Sequence, residues 1–581
     1  MKERTGLAAH QSFKGAAPRS FKASLALLAL LAVPFPLLAQ QSAGHARAGT
    51  LTRVATVDLL SSTAPLSVAF AAPAVPRQRG ARLLHPKNSA LAGTAQISGA
   101  LAAGPSSLAT QAAPVPVVSA HSKNILHNFD GVSSLDSAVT NFGAEFEPPD
   151  QGLCVGNGFV VEPVNSAFSI YRRNGSLVSG PFNVNVLFKE GLKEFTSDPR
   201  CYFDKPTHTW FAVILFISDD ATEARTDIAV NSSGDPTTPW TVYHLDATDD
   251  GTHGTPLHDG CPCLGDQPLL GIDSQNLYIS TNEFSILGPQ ANGAQIYAVS
   301  KRDLINGAAI VHFVQFENLT IAGTVAASVQ PAITQPGGDG ADAEYFLESI
   351  DPTFTFDNRI GVWALTHQEA VSKGGIPTLT NIVINSEVFG VPPNAVQMGS
   401  ASLLNTGDDR MQQVQFIGGE LWGELNTAYN FPGDPTQLSA NAWFEIRPRV
   451  RGHRITGATI RNEGYVASAG NFLLYPAIQV SPNGSAAMVF TLSGPTFFPS
   501  AAYALLPEEG HSFGPIRIAA PGSGPYSPDS TRWGDYSFAT VDPSGQSIWL
   551  ATEYIPPLSR QTVDGLQNWG TRVLEVSARD E

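Results

Sequence analysis

The sequence predicts an all-β fold: a single β-propeller with seven blades, set behind an N-terminal export segment and a structureless spacer. Three observations carry this. Short alternating apolar runs, broken by Gly, Pro, Asn and Asp, recur from Ser122 onward, the pattern of strands joined by tight turns. The chain holds 53 Gly and 43 Pro in 581 residues, and only 15% of its residues are charged, which suits many turns and few long helices. Seven segments also share one plan: a polar residue, a strand, a turn, and a second strand ending on a polar or acidic residue.

The N-terminus comes first. Lys2, Arg4, Lys14, Arg19 and Lys22 precede the apolar run "ASLALLALLAVPFPLLA" (Ala23 to Ala39), which Pro34 and Pro36 interrupt. That layout predicts a removed signal peptide over residues 1–39 rather than a membrane anchor, and hence a secreted or periplasmic protein. Residues 40–122 turn to Ala, Pro, Ser and Gly with few aromatics, a composition that seldom builds a core. They read as a disordered spacer or pro-segment, within which a piece such as "VATVDLL" can still supply a strand.

Residues 123–581 form the repeat domain. Its units open near Asp150 ("PPDQGLCVGNGFVVEPVN"), Asp198 ("SDPRCYFDKPTHTWFAVILF"), Asp266 ("GDQPLLGIDSQNLYISTNEF") and Gln330 ("VQPAITQ"). The remaining three open near Asp409 ("DDRMQQVQFIGGELWGELNT"), Tyr475 ("YPAIQVSPNGSAAMVFTLS") and Asp535 ("GDYSFATVDPSGQSIWLATEY"). "VGNG", "IGG", "SPNG" and "DPSG" are hairpin turns. Seven units over about 460 residues give roughly 65 residues each, above the usual four-stranded blade and in keeping with loop insertions. "NILHNFDGV" (Asn124 to Val132) is placed to complete the last unit beside "WGTRVLEVS". A pair of β-sandwiches, a β-helix, and six or eight blades are the competing architectures.

Those motifs also resemble a family of exported bacterial β-propeller proteins described loosely as sialidase-like (BNR or Asp-box). The resemblance spans Phe129 to Ser577 and rests on "PPD", "TNEF", "YPAIQVSPNG" and "RWGDYS". It implies the propeller and carries no assigned activity. "SGDPTTPW" (Ser233 to Trp240) matches the Asp-box only in part, and the Arg-Ile/Leu-Pro signature of sialidases is absent, which argues against sialic acid cleavage.

In a propeller the start of each first strand and the end of each second strand reach the same mouth. Asp150, Asp198, Asp266 and Asp535 lie at starts; Glu283, Glu348, Glu424 and Glu553 lie at ends. Arg410, Arg532, Trp422, Trp533, Phe284 and Tyr554 are close by in sequence. Two carboxylates in different environments can serve as acid and base on a glycosidic bond. Asp266 with Glu283, and Asp535 with Glu553, are the candidate catalytic pairs. Asp150, Glu348, Arg410, Trp422, Glu424, Arg532 and Trp533 are the candidate binding residues. Clustered acids can instead hold Ca²⁺, or receive backbone N–H groups and knit blades together; Asp198, before a proline, suits that structural role.

A net charge of −17 argues against a nucleic-acid partner. An extracellular glycan or glycoconjugate is expected, handled by a monomer that hydrolyses or lyses it, or alternatively only binds it. "DATDDGTHGTPLHDGCPC" offers His253, His258 and Asp259 for zinc, although its spacing fits no closed template. An exported chain favours disulfides for its four cysteines. Cys154 and Cys201 are each expected to bond to one of Cys261 and Cys263, because a bridge within Cys-Pro-Cys would be strained. "GGDGAD" (Gly337 to Asp342) is expected to be a hairpin tip.

Overall fold

Runs such as "TWFAVILFI" (Thr209–Ile217) are apolar on both faces and buried throughout, as strands sandwiched between neighbouring sheets must be. The computed structural model describes residues 40–41, 44–59, 116–118, 124–143, 146–334, 343–350, 352, 356–508, 510–526, 532–561 and 568–577. The expected signal peptide, most of the 40–122 stretch and the "GGDGAD" tip lie outside the described residues. Nearly all regular structure is β, and among the described residues no helix is long and apolar enough to cross a membrane.

Among the described residues, most strands fall into seven antiparallel meanders of four strands each. Sheet 1 runs Cys154–Gly156, Phe159–Pro163, Ala167–Arg172 and Leu177–Asn183. Sheet 2 is Phe195–Asp204, Thr209–Ile217, Ala224–Asn231 and Trp240–Asp246. Sheet 3 is Cys263–Ile272, Asn276–Ser285, Ala291–Ser300 and Ile310–Glu317. Sheet 4 is Gln330–Thr334, Glu344–Ser349, Asp357–Thr366 and Thr378–Phe389. Sheet 5 is Met411–Ile417, Glu420–Asn430, Gln437–Arg451 and Arg454–Val466. Sheet 6 is Phe472–Val480, Ala486–Gly494, Phe497–Leu506 and Ile516–Ala520. Sheet 7 is Phe538–Val541, Ser547–Tyr554 and Gly570–Ser577, and its fourth strand comes from the start of the domain, Ile125–Ser133.

The core is divided into layers between consecutive sheets. Phe159, Val161 and Phe168 of sheet 1 pack on Phe203, Trp210 and Ile214 of sheet 2. Equivalent layers join sheet 2 to 3, 3 to 4, 4 to 5, 5 to 6 and 6 to 7. A further layer joins Phe538, Trp549 and Val573 of sheet 7 to Leu153, Val160 and Tyr171 of sheet 1. The first strands of consecutive sheets also lie side by side, and that of sheet 7 lies against that of sheet 1.

The expected cysteine pairing is corrected here, and the 40–122 stretch, where "VATVDLL" could supply a strand, contains His45–Val57, a 13-residue strand pairing with the outermost strands of both sheet 2 and sheet 3. Gln40–Gln41 and Val117–Val118 likewise edge sheets 4 and 6. Outer strands offer unpaired N–H and C=O groups, and this segment satisfies them without building a core of its own. The cysteines pair as Cys154–Cys201 and Cys261–Cys263, with Cα separations of 5.5 and 4.4 Å. Cys154 and Cys201 sit on the neighbouring first strands of sheets 1 and 2 and face one another directly, which leaves neither for the Cys-Pro-Cys loop.

Candidate functional site

The first strands begin irregularly, and that irregularity shapes the site. Pairing with the second strand jumps register between Val213 and Leu215, Asp266 and Leu269, Met411 and Val414, and Leu474 and Ala477. These are bulges, which re-aim side chains at a strand end. Asp150 and Ser328, shortly before their first strands, and Asp198, Gln267 and Tyr475, within theirs, adopt left-handed φ of 45°, 36°, 59°, 52° and 49°. Such backbone costs about 1–3 kcal/mol per residue and persists only where neighbours enforce it.

The neighbours are side-chain amides and carboxylates of the adjacent sheet. Asn165 Oδ1 accepts from the N–H of Asp198 at 2.7 Å, and Asn282 Oδ1 from that of Ser328 at 2.8 Å. Asn426 Oδ1 accepts from the N–H of Tyr475. Asp150 Oδ1 accepts from the N–H of Asp535 at 2.8 Å, while its Oδ2 accepts from Asn165 Nδ2 at 2.9 Å. Each latch joins one sheet to the next, and Asp150, fully buried, joins sheet 1 to the approach to sheet 7. Sequence reasoning missed the asparagines, although "PVN", "TNE" and "LNT" all place Asn within a few residues of the end of a second strand.

Two arginines occupy the same end. Arg410 forks onto Asp408 through Nε at 2.7 Å and Nη2 at 2.5 Å, and Nη1 donates to Gln267 Oε1 at 2.5 Å. Burial works against its charge, but Asp408 and then Asp266 and Asp535 more than offset this, so its pKa is raised. Arg532 pairs with Asp535; burial again opposes its charge, and Asp535, Asp150, Tyr475 and Asp198 raise it. Side-chain exposures of 9% and 19% for Arg410 and Asp408, and 16% and 14% for Arg532 and Asp535, leave these pairs within reach of a ligand. Thus Asp150, Asp198, Asp266, Asp535, Arg410 and Arg532 do share one electrostatic neighbourhood. Asp408, Gln267 and Tyr475 belong to it as well and were not singled out from sequence.

Of the glutamates, Glu553 lies in the same electrostatic neighbourhood, where Asp150 and Asp535 add to the effect of burial on its pKa, whereas Glu283 does not face Asp266. Cross-strand register sets Gly265 opposite Glu283 and Asp266 opposite Asn282. Opposed residues share a face and the next residue takes the other, so Asp266 and Glu283 project from opposite faces of sheet 3. Glu283 instead meets His258. Glu553 Oε2 accepts from the N–H of Gly534 at 2.7 Å and Glu424 Oε1 from that of Gln413 at 3.1 Å. Glu348 accepts from Ala327 N–H at 2.8 Å and Trp363 Nε1 at 3.0 Å. Glu162, unremarked in the sequence, accepts from Val132 N–H at 2.9 Å. All are buried, and burial raises the pKa of each: Glu162 to about 7, Glu348 to about 8, Glu424 and Glu553 well above the usual carboxylate range.

Glu348 gives a pH dependence. Its folded pKa of about 8 exceeds the ordinary 4.5, so the folded protein holds a proton that the unfolded chain releases between those values. The associated stability is complete below the unfolded pKa and is lost as pH rises through 8. Each pH unit in that window removes about 1.4 kcal/mol. Glu348→Gln is expected to flatten the slope of urea stability between pH 5 and 8; equal slopes in both proteins would contradict the assignment.

The expected aromatic platforms are also absent. Trp533 is fully buried, donating Nε1–H to Thr491 Oγ1 at 3.2 Å, and Trp422 is buried in a stack with Trp443 at 5.9 Å. Phe284 and Tyr554 are buried as well. The partial Asp-box is a turn between the third and fourth strands of sheet 2, where Asp235 accepts from Thr237 N–H at 2.9 Å. A surface cavity of about 280 Å³, lined by residues including Thr207, Gln275, Lys301 and Arg302, contains none of the acids discussed.

No family model matches this chain, and no curated protein matches it. Among solved structures, a Penicillium chrysogenum α-L-arabinanase is 12% identical, covering 78% of this chain and 98% of its own at a TM-score of 0.30. A Fusarium graminearum α-L-arabinofuranosidase is 9% identical, covering 78% and 98% at 0.31. A Trypanosoma rangeli sialidase is 9% identical, covering 71% and 57% at 0.33. Likenesses this slight carry no argument about what this chain does.

Proposed function

We propose that the seven meanders close into one seven-bladed propeller and that its Arg/Asp mouth engages a carbohydrate polymer or glycoconjugate. The closed ring is supported by the unbroken cycle of first strands and inter-sheet core layers, with Ile125–Ser133 completing sheet 7. One observation carries the functional reading: two ion pairs, Arg410–Asp408 and Arg532–Asp535, stay partly exposed beside Asp266 and draw on distant stretches of chain. Sugar hydroxyls both donate to carboxylates and accept from guanidinium groups, so alternating acids and arginines complement them. The two disulfides suit an exported protein acting outside the cytosol.

Asp266 and Asp535 are the carboxylates a hydrolytic reaction would use, since Arg410 feels both. The non-catalytic form of the reading is favoured by a separate observation: Glu348, Glu424 and Glu553, whose pKa values burial raises, accept hydrogen bonds from backbone N–H groups. Incubation of the purified chain with a glycan panel tests both. Retention of a glycan, weakened about tenfold or more in Asp535→Asn and Asp266→Asn, is expected. Cleavage abolished by either variant would establish the hydrolase. Unchanged retention in both variants would remove the mouth from consideration.

A further inference from the structure

The loop from Ala247 to Pro262 carries a second polar cluster, unconnected with the sugar reading. His258 Nδ1 lies 2.9 Å from both carboxylate oxygens of Glu283 and 3.7 Å from Asp249 Oδ2. On the ring's other side, Nε2 faces Glu317 Oε2 at 3.2 Å. The imidazole is 7% exposed, and the Asp249 and Glu283 side chains are sealed, at 0% and 1%.

Three features point to a bound cation. First, one ligand atom from each of Asp249, His258 and Glu283 lies within 4.8 Å of the others. The separations of 2.9 and 3.7 Å straddle the ~3.4 Å edge of a tetrahedron with ~2.1 Å metal–ligand bonds. Second, Asp249 Oδ1 is buried with no hydrogen-bond donor, and an orphaned acceptor in a sealed carboxylate needs a positive partner. Third, three carboxylates, Asp249, Glu283 and Glu317, surround one imidazole, and the nearest arginine, Arg47, reaches them only through Gln315.

The cluster is also held in place before any ligand arrives. Asp249 sits at a left-handed φ of 46°, and the His258 N–H donates to the Asp249 carbonyl at 2.9 Å. Cys263 N–H donates to the Thr248 carbonyl at 2.8 Å, and the Cys261–Cys263 disulfide closes the loop's end. That disulfide removes both sulfurs as ligands. One imidazole nitrogen with two carboxylates suits a borderline ion such as zinc, whereas Ca²⁺ prefers an all-oxygen shell of six to eight ligands.

We propose that Asp249, His258 Nδ1 and Glu283 bind one Zn²⁺, with Glu317 accepting the Nε2–H and fixing the ring. The carboxylate–imidazole–metal relay is the usual means of orienting such a ligand, and its outer carboxylate is worth about 10- to 100-fold in affinity. His253 takes no part: it is exposed and pairs with Asp246 at 3.7 Å.

The test uses the full chain, stripped with chelator and titrated with Zn²⁺, Mn²⁺ and Ca²⁺, with metal content measured after gel filtration. One zinc per chain is expected. Asp249→Asn and His258→Gln should each weaken zinc binding at least 100-fold, and Glu317→Gln about 10- to 100-fold; His253→Ala should leave it unchanged. Circular dichroism confirms folding, and Glu317→Gln, outside the direct ligands, serves if the others unfold. Substoichiometric zinc in the parent chain, zinc retained at full affinity in Asp249→Asn or Glu317→Gln, loss on His253→Ala, or preference for Ca²⁺ would each overturn the site.

Discussion

Arg410→Ala is expected to destabilise the protein by about 3 kcal/mol, the lower end of what removing one partner of a buried ion pair costs, because Asp408 stays 19% exposed. The guanidinium satisfies both oxygens of Asp408 and the amide oxygen of Gln267, itself held at a left-handed φ of 52°. Its loss strands a carboxylate beside Asp266 and Asp409, and Asp409 already has both oxygens buried without a donor. Arg410→Lys keeps the charge but cannot fork onto Asp408 while reaching Gln267, so it should recover only part of the loss. The double variant Arg410→Met with Asp408→Leu removes both charges and is expected to be more stable than Arg410→Ala. Urea titrations of the four proteins decide it. A double variant no better than the single would mean that packing, not charge, is what Arg410 provides. Glycan retention should fall in Arg410→Ala and in the double variant, because the mouth loses one of its two cations.

The repeated hairpins were legible because each unit carries two independent signals, strand alternation and turn chemistry, that agree. "VGNG", "IGG", "SPNG" and "DPSG" each join the first strand to the second, and "NILHNFDGV" pairs with "WGTRVLEVS" as its position suggested. The site was less legible, for a physical reason. Alternation places a residue near a strand end but leaves its depth and face open, since one residue's shift in register reverses the face. Bulges at Asp266 and Tyr475 make that shift here. Glu283, one position beyond the cross-strand partner of Asp266, takes the other face and meets His258, while Glu348, Glu424 and Glu553 accept from backbone N–H groups. The tryptophans misled in the opposite direction: Trp422 and Trp533 are near the mouth in sequence, yet their bulk fills the layers between sheets. Arg410 and Arg532, set beside strand starts by the sequence, pair over short range with Asp408 and Asp535.

A chain beginning at Ser134 is expected not to fold cooperatively, whereas one beginning at Asn124 should. The difference is the strand Ile125–Ser133, which pairs along Gly570–Ser577 and is the fourth strand of sheet 7. Its removal exposes the backbone edge of Gly570–Ser577, a template for aggregation. It also withdraws the Val132 N–H from Glu162, a fully buried carboxyl whose loss of a donor costs about 1–3 kcal/mol. Phe129 leaves the layer between sheets 7 and 1, where it contacts Tyr171 at 5.4 Å and Trp549 at 6.5 Å. Arg572 loses Asp130 at 2.5 Å and Asn128 at 2.6 Å. These losses fall on one junction and together approach the 5–15 kcal/mol stability of an ordinary domain. The Asn124 chain keeps all of this and, among the described strands, loses only the outer edge strands Gln40–Gln41, His45–Val57 and Val117–Val118, of which Leu51 and Val57 are buried apolar anchors. Its transition should shift to lower urea and remain single. Adding a synthetic peptide spanning residues 124–133 to the Ser134 chain should restore near-ultraviolet dichroism if this strand is what joins the last sheet to the first. A Ser134 chain that unfolds as cooperatively as the Asn124 chain would show that the junction is held elsewhere.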